Sequence, residues 1–376
     1  MSKINGSPKR WLRTPLLAMI TAVVGLVGIA APAASANPVA HVGSSTVTVS
    51  SNGSTGTLAF YWIPDSSNTP HSEVVPSNVP IKQEPAVAQV GQSSVIAAEG
   101  TDGSLQYYWQ PIGSPTWHEE QVAGAGSTTG IPDITQVGNS TVIAAPGPNY
   151  TINYYYQPIG SPTWSSVQIV SNAAGAPSSG YSWPSITQVG GSTVIAAEGP
   201  NFSLWMFWQA IGSPTWHAEE VSGNSSAYGI PSVAAVTTGG VTYTEIAALR
   251  EGPQEDTAQD YTYMQAVGAS GWTKYMVTPA LYGLGDPSLA QVGGDVVLTT
   301  DADELTSSNQ ILDSQWLYVQ HAGNQSSPWT AVQVTPWGGA PGAWELPGVT
   351  ATSSSIASIA VALDNGSDNF YQYNVG

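Results

Sequence analysis

The chain has 376 residues, of which 7 are lysine or arginine and 25 aspartate or glutamate, for a formal net charge of −18. So few cations exclude nucleic acid and anionic lipid as partners, because phosphate binding needs grouped lysine and arginine. The absence of cysteine excludes a disulfide framework and any thiolate metal site.

Residues 1–36 begin with Lys3, Lys9, Arg10 and Arg13, continue as an apolar run from Leu16 to Ile29, and close on Ala34, Ser35 and Ala36. This order of basic, apolar and small residues is that of a secretory signal peptide. An uncleaved membrane anchor is the competing reading. The run contains Gly25 and Gly28 and ends on residues suited to cleavage, and no cysteine follows to carry a lipid. The sequence therefore predicts an extracellular protein whose single folded domain spans 37–376, with no membrane association after cleavage. Only Lys82, Arg250 and Lys274 then remain as cations, which disfavours anionic substrates as well.

The rest of the chain repeats itself. From Gln188 to Val221 it reads QVGGSTVIAAEGPNFSLWMFWQAIGSPTWHAEEV, and nearly the same text starts at Gln89 and at Gln136. The tryptophan closing GSPTW recurs as Trp117, Trp164 and Trp216, at intervals of 47 and 52 residues, and Trp272 and Trp329 continue the series. A period of this length with strand and turn content points to a propeller, solenoid or array, and four strands per unit favour the propeller.

Within each unit the first strand carries the pattern of Ile134 to Val137, and the second, Ser192 to Glu198, is apolar on both faces, as a strand buried between two sheets must be. The third is Leu105 to Gln110, with Tyr108 on one face and Tyr107 and Trp109 on the other. The fourth, His118 to Val122, bears charge and is read as the outer edge, where charge blocks edge-to-edge pairing. Asp102-Gly103 suits a tight hairpin, and Gly113-Ser114-Pro115 breaks the chain before the fourth strand.

Unit openings fall near Pro38, Pro85, Pro132, Pro184, Pro231, Pro287 and Pro347. A third-strand aromatic recurs as Tyr61, Tyr108, Tyr155, Phe207, Tyr263, Tyr318 and Tyr371. The fold class is therefore all-β: a seven-bladed β-propeller of four-stranded antiparallel blades, the last blade three-stranded because the sequence stops soon after Tyr371. Units five and six lengthen the turn between strands two and three, over 251–260 and 301–314. Units three, five and six lengthen the connector to the next unit, over 171–183, 278–286 and 335–346. Both kinds of connection leave a blade on one face, so that face is elaborated and the opposite one, made by QVGxS and IGSPTW, is plain.

The text EGTDGSLQYYW, followed by tryptophan and then Glu-x-Val, resembles the repeat of the bacterial seven-bladed PLL-like lectins and, more distantly, of tectonin-type propellers. The resemblance covers the framework from Pro38 to Gly376. It implies a sugar-binding propeller with sites between adjacent blades, and it carries over no sugar-contact set.

Trp117, Trp164 and Trp216 hold one framework position, which suits packing between blades as well as ligand contact. Trp109 and Trp208 stand likewise between core and site. Trp183, Trp205, Trp337 and Trp344 fall outside the shared pattern, three of them in long connectors, where stacking on a sugar face and anchoring a loop are both open. The ligand-binding candidates are thus Trp109, Trp117, Trp164, Trp183, Trp205, Trp208 and Trp216, with Tyr108 and Tyr155.

Catalysis has little support. Glycoside hydrolysis needs a positioned carboxylate pair, whereas Glu119-Glu120 and Glu219-Glu220 recur with the blades as a solvated outer strand would. A sialidase needs several arginines on its substrate carboxylate, and only Arg250 lies beyond the leader. The five histidines are dispersed, which gives no metal site or nucleophilic triad. Asp301, Asp303 and Glu304 lack the glycine and distal glutamate of a calcium loop and read as a solvated acidic loop. No metal, cofactor or catalytic residue is expected. The leading function is a secreted, non-catalytic lectin for neutral glycans. A protein-interaction or surface scaffold is the alternative, and a glycoside hydrolase comes after both.

Overall fold

The computed structural model describes residues 38–375 apart from 68, 170–172, 252–256, 280, 283–284, 306–310, 322–327, 336–346 and 363–367. The leader and the tryptophans at 337 and 344 lie outside the described residues.

The seven units are seven blades. Blade two shows the pattern: antiparallel strands Ala86–Val90, Ser93–Glu99, Leu105–Pro111 and His118–Ala123 pair in sequence order from the axis outward. Blade seven has three strands, Pro347–Ala351, Ile356–Ala362 and Asp368–Asn374. The first strand of every blade lies beside the first strands of both neighbours, and that of blade seven lies beside that of blade one, which closes the ring.

The turns explain why the repeat text is kept. In the QVG turns, Gly91, Gly138 and Gly190 each sit at φ 56°, a region that favours glycine. The preceding glutamine ties two blades together. Gly91 N donates to Gln136 Oε1 at 2.8 Å, while Gln136 Nε2 donates to Gly138 O at 2.9 Å. Gln89 bonds Gly43 N, Gln188 bonds Gly138 N and Gln291 bonds Thr237 N in the same way.

A second tie runs nearer the axis. Ser185, Ser232 and Ser288 each accept the N–H of a first-strand residue in the next blade, Val233, Leu289 and Val349. Asp133 holds this position in blade three. Its Oδ2 accepts Ile186 N at 2.7 Å and its Oδ1 accepts Ile134 N at 2.8 Å. Burial pushes its carboxyl up to about 8, against the lowering effect of those two hydrogen bonds.

The core is divided among the seams between blades. Alternate residues of the apolar second strand go to opposite seams: Val142 and Ala144 pack toward blade four, Ile143 and Ala145 toward blade two. Burying both faces of each sheet in this way gives the ring its hydrophobic stabilisation.

Two expectations change. The inserted residues of units five and six mostly lengthen strands rather than turns, giving strands Val241–Glu251, Thr257–Ala266, Asp295–Leu305 and Ile311–Gln320. Residues 301–304 therefore belong to a strand and not to a loop. The long connector into blade four adds a short strand, Ala173–Ala174, parallel to the outer strand Trp216–Ser222.

Candidate functional site

The sequence candidates divide between the seams and the elaborated face. In the seam between blades two and three, Tyr107 and Trp109 point from the third strand of blade two, two residues apart and therefore on one face. Their rings stack with centroids 5.4 Å apart. Trp109 also stacks on His118, directly opposite on the fourth strand, at 5.0 Å and 18°. Blade three supplies Trp164, which meets Tyr107 edge-on at 5.2 Å and 72°. The GSPTW tryptophan is thus a contact from one blade onto the third strand of the blade before it.

Polar groups complete the seam. Glu120 stands opposite Tyr107, and Gln157 Nε2 of blade three reaches Glu120 Oε2 at 3.5 Å. This is long for a hydrogen bond. The Trp164 indole N–H is buried and has no acceptor among the described residues. Burial raises the Tyr107 hydroxyl to about 12, with the Thr141 hydrogen bond lowering it and the Glu120 charge raising it further.

The same set recurs between blades one and two and between blades four and five. Trp62 stacks on His71 at 5.2 Å and Trp208 on His217 at 5.2 Å. In the first of these seams Glu73 Oε1 accepts both Trp117 Nε1 at 2.7 Å and Gln110 Nε2 at 3.0 Å, so the polar groups satisfy one another. In the other, Gln265 Nε2 lies 3.4 Å from Glu219 Oε2 and Trp272 Nε1 has no acceptor among the described residues. The carboxylates of blades two and four therefore keep capacity to accept hydrogen bonds from a ligand.

The seam between blades three and four has different walls. Unit three reads WSSVQ where its neighbours read WHEEQ and WHAEE, so Ser165 and Val167 stand where His118 and Glu120 would. Trp216 closes this seam edge-on against Tyr154 at 5.1 Å and is buried.

Trp109 and Trp164 are thus brought together, while Trp117, Trp208 and Trp216 serve other seams. Tyr108 is fully buried, its hydroxyl 2.6 Å from Ser77 Oγ. Tyr155 is buried against blade two. Trp205 is buried, with Nε1 donating to Ser203 Oγ at 2.9 Å. Trp183 is exposed on the elaborated face, beside Gly130 and Pro146.

Reasoning from the sequence missed Glu73, Glu120, Glu219 and their glutamine partners, because charge on an outer strand was read as solvated. Glu119 is tied down too, accepting Asn78 N at 3.0 Å and Asn78 Nδ2 at 2.7 Å. The available signal was the glutamine recurring two residues beyond the third-strand aromatic, as Gln110, Gln157, Gln209, Gln265 and Gln320.

No protein-family model and no curated protein sequence matches the chain. Solved structures do. The BP39L lectin of Burkholderia pseudomallei superposes with a TM-score of 0.64 at 16% identity, over 90% of this chain and 96% of that one. The architecture is shared with a bacterial lectin. A mutant of the Aleuria aurantia lectin in complex with Fucalpha1-6GlcNAc gives 0.50 at 14% identity, over 82% of this chain and 98% of that one. The SapL1 lectin in complex with alpha methyl fucoside gives 0.50 at 13% identity, over 77% and 95%.

Proposed function

We propose that this chain is an exported, non-catalytic lectin that binds neutral glycans in the seams between blades two and three and between blades four and five. The observation that carries the reading is the recurrence, across two blades each time, of a stacked tryptophan and histidine beside an incompletely paired glutamate and glutamine.

Each group has a task in such a site. The exposed edge of the Trp–His pair offers an apolar surface to the C–H face of a sugar ring. Glu120 or Glu219 accepts hydrogen bonds from hydroxyls, and the Gln157 or Gln265 amide donates to them. The lack of cations fits a ligand without charge. The first seam, where Glu73 is already paired, binds more weakly because a ligand must displace internal hydrogen bonds. One shallow site of this kind binds at ~1 mM, about −4 kcal/mol, and two or three sites on one ring raise avidity ~10² to 10⁴ on a dense surface.

The test is titration of the protein with methyl fucoside and other neutral monosaccharides, followed by tryptophan fluorescence, and retention on glycan surfaces of low and high density. The fucoside is included because two structurally similar lectins hold fucosylated ligands. Glu120→Ala and Glu219→Ala each remove one site, and together they abolish multivalent retention without lowering the unfolding temperature by more than a few degrees. Failure to bind any neutral sugar, or release of a cleaved product, overturns the reading.

A further inference from the structure

Six non-glycine residues among those described have positive φ: Asn149 (63°), Tyr150 (57°), Trp183 (43°), Asn201 (59°), Phe202 (58°) and Ser225 (58°). All six lie on the elaborated face, over blades three to five. The left-handed region disfavours residues with a Cβ, and bulky ones most. Blades one and two make the corresponding turns with Gly56 at φ 67° and Gly103 at φ 76°. Units three and four instead read Pro148-Asn149-Tyr150 and Pro200-Asn201-Phe202.

Burial does not account for these aromatics. Tyr150 is 71% exposed, Phe202 47% and Trp183 36%. Their positions are nevertheless fixed. Gly180 N and Tyr181 N both donate to Tyr150 O at 2.9 Å. Ser225 N donates to Asn201 O, and Ser226 N and Ala227 N to Phe202 O, at 2.7 to 3.0 Å. Phe202 stacks on Tyr228 at 4.5 Å and 15°. Turn and connector alternate in this way into one continuous rim. Strain kept at well-fixed, exposed side chains points to function rather than to packing.

The chemistry of the rim selects its partner. The rings are separated by exposed Asn149, Ser179, Asn201 and Asn224, so apolar platforms alternate with amides and hydroxyls. A protein interface would instead gather its apolar groups into a dry centre. The sequence holds no lysine or arginine between Lys82 and Arg250, which leaves nothing to attract an anionic lipid surface or an anionic polymer.

We infer that this rim is a docking surface for an extended, neutral polysaccharide, one chain of which lies across Tyr150, Trp183 and the Phe202–Tyr228 pair. The inference rests on the reading of the protein as a neutral-glycan binder but concerns a different face and a longer ligand. Monosaccharide titration reports the seams, and polymer binding reports the rim.

The experiment compares the full chain with Tyr150→Gly, Phe202→Gly and Trp183→Ala in affinity gels containing a neutral β-glucan or a neutral mannan, with vesicles of zwitterionic and of anionic lipid as further arms. Glycine suits the backbone at 150 and 202, so those two variants unfold at the same temperature as the parent or higher. Each substitution weakens retention by at least one polymer, about tenfold when all three are combined, a loss equivalent to roughly 1.4 kcal/mol. Monosaccharide titration stays unchanged. Polymer retention lost in the variants supports the rim even where no monosaccharide binds the seams. Retention equal to that of the parent, no retention of the parent by any neutral polymer, or binding of the parent to either kind of vesicle overturns it.

Discussion

Blade two turns Val95, Leu105 and Tyr107 toward blade three, and blade five turns Glu245, Asp260 and Thr262 toward blade six. The positions are the same in register. Tyr107 pairs with Ala97 and Thr262 with Ala247, while Leu105 pairs with Glu99 and Asp260 with Leu249. All six side chains are buried. At these positions one seam is apolar and closed by an edge-on Trp164; the other encloses two buried carboxylates, Glu245 and Asp260. Burial pushes Glu245 up to about 7 and Asp260 well above the usual carboxylate range. The comparison teaches that backbone register and blade number survive when the side chains of a seam change character. Strand period, turns and the ties between blades hold the ring, and the seam side chains set how stable it is and what it does.

The largest effect is expected where the aromatic contact is complete. Trp216→Ala removes a buried indole and its edge-on partner contact with Tyr154, and should destabilise the protein by about 3 to 5 kcal/mol. Trp329, the corresponding residue of blade six, is half-buried and faces a seam in which Thr262 replaces the aromatic. Trp329→Ala should cost about half as much. Denaturant unfolding of the two variants measures the difference, and equal losses would show that the worn seam is packed as well as the close one.

The next effect is one of pH. A carboxyl whose folded pKa is raised keeps its proton while the unfolded chain gives its own up. Below about pH 4 both states are protonated and the group has no effect. From there up to its folded pKa the native state binds more protons, so stability falls by about 1.4 kcal/mol per pH unit for each group. Glu245, near 7, and Asp133, near 8, place that decline between pH 4 and 8, with Asp260 adding to it in the same direction. Glu245→Val combined with Asp260→Leu restores the blade-two pattern and should flatten the decline and stabilise the protein at pH 7 by on the order of 2 kcal/mol. Val95→Glu should impose the same slope on blade two. Unfolding curves at pH 5 and pH 8 that do not change in either variant would remove the electrostatic part of the comparison.

The close repeats make the fold legible in the sequence. GSPTW and QVG recur in the sequence, and recurrence marks both the unit and its turns. The elements of the site were legible only in part. Trp109 and Trp164 stood out as aromatics, but Glu120 and Gln157 are 37 residues apart on different blades. Nothing local shows that a glutamate on one outer strand faces a glutamine on the next third strand. Trp205 was misleading for a physical reason: its departure from the shared pattern fills a gap beside Tyr181 rather than opening a surface, with ring centroids 6.0 Å apart. Tyr150 and Phe202 escaped notice because strain is a property of φ, and a Pro-Asn-aromatic turn does not reveal its backbone angles in the sequence.

The smallest effect concerns the glutamine tie itself, which blade five lacks. Counting from the opening proline, Ala235 stands where Gln188 and Gln291 stand in their units. In unit six the tie is present, with Gln291 Oε1 accepting Thr237 N at 2.9 Å and Gln291 Nε2 donating to Thr237 O at 2.7 Å. Ala235→Gln places an amide opposite the turn at Gly190, as Gln188 already faces the turn at Gly138. Because the turn lies at the surface, the new bonds replace bonds to water, and the gain is that of a net intramolecular hydrogen bond, about 0.5 to 1.5 kcal/mol. Gln188→Ala should lose a similar amount in blade four. If the ties are what allow a worn seam to keep its register, the added glutamine should also lessen the damage done by Trp329→Ala. A double-mutant cycle between positions 235 and 329 reads that coupling directly. Strict additivity would mean that each seam stands on its own contacts and that the turns contribute only locally.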